Sequence, residues 1–172
     1  MMRFVLVAFL VGVAGCTAKY QVHDLAGTTN THLDKSKGVY VALPQDGAYG
    51  AVTSAGSGPI VAQAVATAFS GVAARVNVAE RTVGNDQSIL AAKSLSAGYL
   101  AVPIIVQWEQ RATEWSGRPS RLAIRLTIFD VASGEQLRSS AIEGRSRIVS
   151  FISTSPESLL HDPLTEYVRG LY

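Results

Sequence analysis

The chain has one cysteine, three histidines and two tryptophans in 172 residues. A single cysteine, Cys16, cannot close a disulfide within the chain, so any folded domain must stand on packing alone. His23, His32 and His161 lie in polar or terminal stretches and no His-Glu-x-x-His occurs, which leaves a metalloprotease unsupported. No serine has glycine both two before and two after it, so the strained nucleophile turn of the α/β-hydrolases is missing. Charge of one sign is missing too: 15 basic and 13 acidic residues give a net charge of +2, with no basic excess to suit nucleic acid. The apolar run Phe4 to Val13 is ten residues long, too short for a bilayer span, which takes about 20.

That run belongs to a leader. Arg3 and the amino terminus supply a positive start, the apolar run follows, and the small residues Ala14 and Gly15 precede Cys16. Val13-Ala14-Gly15-Cys16 resembles the lipobox of bacterial lipoproteins, in which the cysteine is acylated and becomes the first mature residue. The resemblance implies removal of residues 1–15 and fatty acyl chains such as palmitate on Cys16. Each buried CH₂ contributes about 0.8 kcal/mol, and two or more chains make attachment stable. Thr17 stands where aspartate would retain such a protein in the inner membrane, which implies the outer membrane of a Gram-negative cell, facing the periplasm. The competing reading is an ordinary signal peptide or amino-terminal anchor with Cys16 incidental. Acylation of the only cysteine leaves no thiol for zinc binding or nucleophilic catalysis.

The remainder is long enough for one domain with a core. Residues 16–37 are polar, with no sustained helical period, and read as a lipidated tether. Residues 38–172 read as a single α/β periplasmic domain. Val39 to Leu43 has strand length and stops at Pro44. A glycine-rich loop, 44–58, leads to Pro59, which suits a first helical turn. Ile60 to Ala74 is helical, with Val61, Val65, Phe69 and Val72 on one face and so little charge that packing on more than one side is expected. Arg75 to Ala79 alternates as a strand, and a second helix capped by Asn85 or Asp86 ends near Gly98.

Tyr99 to Trp115 is strand-like, and Pro103 points to an edge or a bulge. Leu122, Ile124, Leu126 and Ile128 alternate with Arg121, Ala123, Arg125 and Thr127, which predicts one buried face. Ala132 to Glu135 closes a hairpin into a strand over 136–150. Leu160, Leu164, Tyr167, Val168 and Leu171 form the stripe of a terminal helix, with helix-start signals at Ser155-Pro156 and Asp162-Pro163. The expected fold class is α/β (α+β): one mixed sheet, order β-α-β-α-β-β-β-α, ending in an antiparallel meander and a helix.

Candidate sites are few, and no catalytic residue, cofactor or metal set emerges. Asp46, Tyr49 and Ser57 are the polar groups of the glycine-rich loop, placed where open sheets seat ligands. The competing reading is an Asp-Gly turn with a packed tyrosine. Gly56-Ser57-Gly58 opens a helix, but no Gly-Lys-Ser/Thr follows, so turns and close packing are favoured over phosphate binding. Seven arginines and five acids between Gln107 and Val149 fit a solvated sheet face. Trp108, Arg111, Trp115 and Arg125 are the alternative, a partner surface, since both residue types favour protein interfaces.

Taken together, the lipobox, Pro44-x-Asp46-Gly47-x-Tyr49-Gly50, Gly56-Ser57-Gly58 and Ala68-Phe69-Ser70 resemble a family of small Gram-negative lipoproteins catalogued as a domain of unknown function. The element order is similar to periplasmic domains of curli-secretion lipoproteins, penicillin-binding-protein activator lipoproteins and the Tol translocation protein. Those domains bind proteins, and the likeness is one of architecture. The resulting expectation is a non-enzymatic outer-membrane lipoprotein that binds an envelope protein or itself. The alternative is a small-ligand or glycan-binding module built on loop 44–58. A membrane partner through Cys16 is expected, and no nucleic acid.

Overall fold

The computed structural model describes residues 19–27, 32–109, 120–145 and 156–172. Eight strands and three α-helices are described there: β1 Lys19–Gly27, β2 Gly38–Val41, β3 Ala48–Tyr49, β4 Val52–Thr53, α1 Ser57–Ser70, β5 Val76–Val78, α2 Asn85–Ser94, β6 Ala97–Glu109, β7 Arg121–Asp130, β8 Gln136–Arg145 and α3 His161–Arg169. A short 3-10 helix, Pro156–Leu159, precedes α3. Six strands form one mixed sheet in the order β1-β8-β7-β6-β2-β5, and β3 and β4 make a separate small hairpin. β2 pairs in parallel with β5 and β6, while β6, β7, β8 and β1 are antiparallel. The α+β class, the mixed sheet, the meander and the terminal helix agree with the sequence pattern.

β1 is the element that the pattern does not announce. It lies within 16–37, where the sequence reads as a tether, yet Lys19–Gly27 pairs along β8 from Arg145 to Arg138. Its partner is more than a hundred residues away, and strand propensity depends strongly on such neighbours.

Smaller departures have local causes. The N-cap of α2 is Gly84, with no side-chain cap bond, so neither Asn85 nor Asp86 caps it, and Asp86 sits in the first turn. α2 ends at Ser94 with Ser96 in the left-handed region (φ 53°), and Gly98 falls inside β6. α1 starts at Ser57, with Pro59 in its first turn. Pro103 itself agrees with the expected edge: it is in register with Leu126 of β7, while the β2–β6 pairing ends at Ala101. Ala42 N–H donates to the Ala101 carbonyl, so residue 103 should supply the next donor toward β2. Proline has none, and the β2–β6 ladder ends there.

Two layers of packing follow. α1, α3 and the 3-10 helix cover one sheet face, where Val39, Val41, Tyr99, Ala101, Leu122, Ile124, Leu126, Ile128 and Ile142 meet Val61, Val65, Phe69, Leu160, Leu164 and Val168. The buried side of α1 is wide because it packs on both the sheet and α3. α2 covers part of the opposite face, over Tyr40, Ala42, Leu100 and Val131. Burying a side chain such as Leu126 contributes about 1.5–3 kcal/mol, so the first face dominates cohesion. Among the described residues, no helix is long and apolar enough to cross a membrane.

Candidate functional site

Loop 44–58 is a clasp at the start of α1. Asp46 accepts from Gly58 N–H at 2.7 Å through Oδ1 and from Gly56 N–H at 3.1 Å through Oδ2. Ser57 Oγ accepts from Gly47 N–H at 2.8 Å and donates to the Ser54 carbonyl at 2.7 Å. The first N–H groups of a helix lack internal partners, and negative charge is favoured there. Those backbone donors, Gly58 first and Gly56 second, hold the Asp46 carboxyl below its usual range.

The clasp also explains two of its glycines, Gly47 and Gly58. A Cβ on Gly58 would stand 2.5 Å from the Pro44 carbonyl oxygen, and one on Gly47 would stand 2.7 Å from Ile105 Cγ2 and 2.8 Å from Trp108 Cβ. Asp46 and Ser57 are thus brought together, with their polar atoms bonded within the loop. Tyr49 is half-exposed in β3.

The four expected partner-surface residues separate. Trp108 is buried among the core side chains, because the register slip between Ile105 and Gln107 sets it opposite Leu122 on the helix-covered face. It is a core residue rather than part of a surface. Arg125 is exposed on the other face. Arg111 and Trp115 lie outside the described residues, as does Cys16, the expected lipid-attachment residue.

The face that carries Arg125 is a candidate contact surface. α2 reaches only its β2 side, leaving rows that run across β6, β7, β8 and β1. One row is Ile104, Arg125, Ala141 and His23, and the next toward the chain's entry is Gln107, Ala123, Glu143 and Gln21. Ile104 is 46% exposed and Val106, at the register slip, 57% exposed. Both lie past the end of the β2–β6 pairing, where β7 alone flanks β6, and large aliphatic side chains so exposed mark a surface that has no cover among the described residues.

A polar seam, unforeseen from the sequence, fixes β1 to the body. Arg138 donates to Asp24 at 2.8 Å, Ser140 Oγ to the other Asp24 oxygen at 2.7 Å, and Ser140 and Tyr167 hydroxyls lie 2.9 Å apart. Tyr20 donates to Glu166 of α3. The Arg138 guanidinium, then the Ser140 hydroxyl, hold the Asp24 carboxyl low, and burial pushes the Tyr167 hydroxyl up. The bonds made by β1 join residues more than a hundred positions apart, which no local pattern signals.

No curated protein matches the sequence. Among solved structures, the PelC dodecamer from Paraburkholderia phytofirmans superposes with a TM-score of 0.65 at 18% identity, covering 86% of this chain and 96% of that one. Protein XCC0632 from Xanthomonas campestris, of family DUF330, superposes with a TM-score of 0.52 at 14% identity, covering 83% and 90%. At these identities the likeness is one of fold. The model of DUF4823, a domain of unknown function, matches residues 31–171, most of the chain, including the clasp, the meander and the terminal helix. The chain therefore belongs to the DUF4823 family.

Proposed function

We propose that this protein is a non-enzymatic outer-membrane lipoprotein, anchored through acylated Cys16 and facing the periplasm, whose domain assembles with copies of itself. The observation that carries the assembly reading is the sheet face left without a helix, with Ile104 and Val106 exposed on strand β6. The PelC structure of similar fold is a dodecamer, which adds support. The anchor concentrates copies on one surface, and that raises their effective concentration for one another. A ligand- or glycan-binding loop draws less support, because Asp46 and Ser57 are already bonded within 44–58.

Crosslinking of the full-length protein in intact cells tests the assembly reading. A ladder of multiples of the monomer mass is expected, and Ile104→Asp with Val106→Asp should collapse it to monomer. Monomer alone from the unaltered chain rules self-assembly out. The anchor is tested separately: Cys16→Ala should release the protein from the membrane fraction, and retention would remove the lipoprotein reading.

A further inference from the structure

The pairing register assembles a basic row at one end of the sheet. Lys19 pairs with Arg145, and Arg145 pairs with Arg121, so three basic positions follow one another across β1, β8 and β7. Like charges directly opposite across strands are unfavourable. An acid at the middle position would have relieved this, and none is there. Glu109 stands at the far end of the row, opposite Arg121, but it is buried and accepts a hydrogen bond from Gln107 at 2.6 Å. Glu143 lies one row further from the sheet end, about 7 Å back along the strand. Of the two acids nearest Arg121 and Arg145, one is thus buried and the other set one row back.

Arg145 is exposed and Arg121 half-exposed. Among the described residues neither is ion-paired. They border a concavity of 460 Å³ whose lining includes Tyr20, Gln21, Gln107 and Glu143.

The position of this row relative to the anchor gives it a meaning. Cys16 precedes Lys19 by three residues, which reach at most about 11 Å when fully extended. β1 is held to β8 and α3 by the seam of Asp24, Arg138, Ser140 and Tyr167, so the sheet end cannot swing away independently of the domain. If Cys16 carries acyl chains, this end lies within about a Debye length of the headgroups, where each Lys or Arg contributes about 1 kcal/mol on an anionic surface.

We propose that this end of the sheet docks onto the phosphates of anionic phospholipids in the anchoring membrane, with Arg145 and Arg121 as the contacting groups. This rests on the reading of Cys16 as the acylated residue. The lipid then sets the attachment and the basic row sets the orientation. The sheet stands on its β1-start end, and the Ala132 turn at the other end of β7 and β8 points away.

The test uses the acylated full-length protein, reconstituted into vesicles of phosphatidylglycerol with phosphatidylethanolamine or of phosphatidylcholine alone. Gln21→Cys, labelled with a polarity-sensitive dye, reports the proposed contact, and Ala132→Cys the far end. With Cys16 acylated, each introduced thiol is the only one available.

The expected result is a blue shift at position 21 on anionic vesicles. It should be lost on phosphatidylcholine, at high salt, and in the variant carrying both Arg121→Gln and Arg145→Gln, with no shift at position 132. That double variant should still float with the vesicles. A dye at 21 that stays in water while the protein floats overturns the docking and leaves the anchor standing. A shift that ignores lipid charge and both substitutions, as contact with a second copy would give, also overturns it. Protein that fails to float removes both readings together.

Discussion

The two faces of the sheet are built from the same strands and have opposite characters. On β7, Leu122, Ile124, Leu126 and Ile128 point toward α1 and α3 and are at most 2% exposed. Between them, Ala123, Arg125 and Thr127 point to the face that α2 covers only in part. On the first face shape decides, since each side chain fills space that another helix has closed. On the second, the residues are small, hydroxylated or charged, and Thr127 and Ser139 hydroxyls lie 3.1 Å apart. Away from the part under α2, Ile104 and Val106 break this rule at 46% and 57% exposed; on the covered side, Tyr20 and Val22 of edge strand β1 are exposed to a similar degree. The contrast separates what holds the domain together from what it can offer to another molecule.

The sharpest way to break that contrast is to truncate neighbours that face opposite ways. Leu126→Ala should cost about 2–5 kcal/mol in urea unfolding, because it empties a closed site. Arg125→Ala should stay within about 0.5 kcal/mol. Equal losses at the two positions would mean that both faces are packed within the monomer, and the comparison would fail.

Next in size are the polar fastenings. Tyr167→Phe removes the hydroxyl beside Ser140, and Asp46→Ala removes the acceptor of Gly56 and Gly58. Each should lower stability by about 1 kcal/mol. Hydrogen exchange should localise the losses, at β1 and β8 for the first and at the first turn of α1 for the second. A uniform loss across the domain would contradict these local roles.

Acid should act through the same groups. Asp24 and Asp46 both titrate lower in the folded chain than their ordinary value, so below about pH 4 the unfolded chain binds more protons. Their contribution is fully present above the unfolded value and disappears as pH falls through the folded one. Both sites are open to solvent, so the loss per group should be small. Thermal unfolding from pH 6 downward should show Asp24→Asn flattening part of the decline.

The smallest effect on folding is expected at Ile104. Ile104→Ser should change urea stability by less than about 0.5 kcal/mol, because the side chain is already half in water. Its effect should appear in the crosslinked ladder instead. A large stability loss would move Ile104 to the packed side of the comparison.

Legibility in the sequence followed the range of the interactions. The alternation along β7 and the stripe Leu160, Leu164, Tyr167, Val168 and Leu171 were readable because a buried face repeats at the period of its own element. β1 was not, because Tyr20, Val22 and Asp24 become a strand only beside β8 and α3. Trp108 was misplaced on a surface because one extra residue before it turns the strand over, and such a slip leaves no periodic signature. The glycines of loop 44–58 divide between close packing, at Gly47 and Gly58, and turns of positive φ, at Gly50 and Gly56. That Asp46 reaches across to Gly58 became visible only once the two lay together.

The sequence by itself carried the lipobox-like Val13-Ala14-Gly15-Cys16, on which the expectation of a leader rests, and determined the kinds and order of most elements. These are local properties, carried by composition and by periods of two or 3.6 residues. Only the tertiary structure decided that β1 joins the sheet, that Trp108 is buried, and that Lys19, Arg145 and Arg121 share one row near the chain's entry. Those are matters of register between distant strands. Register is set by the summed fit of whole faces, and no single segment contains it.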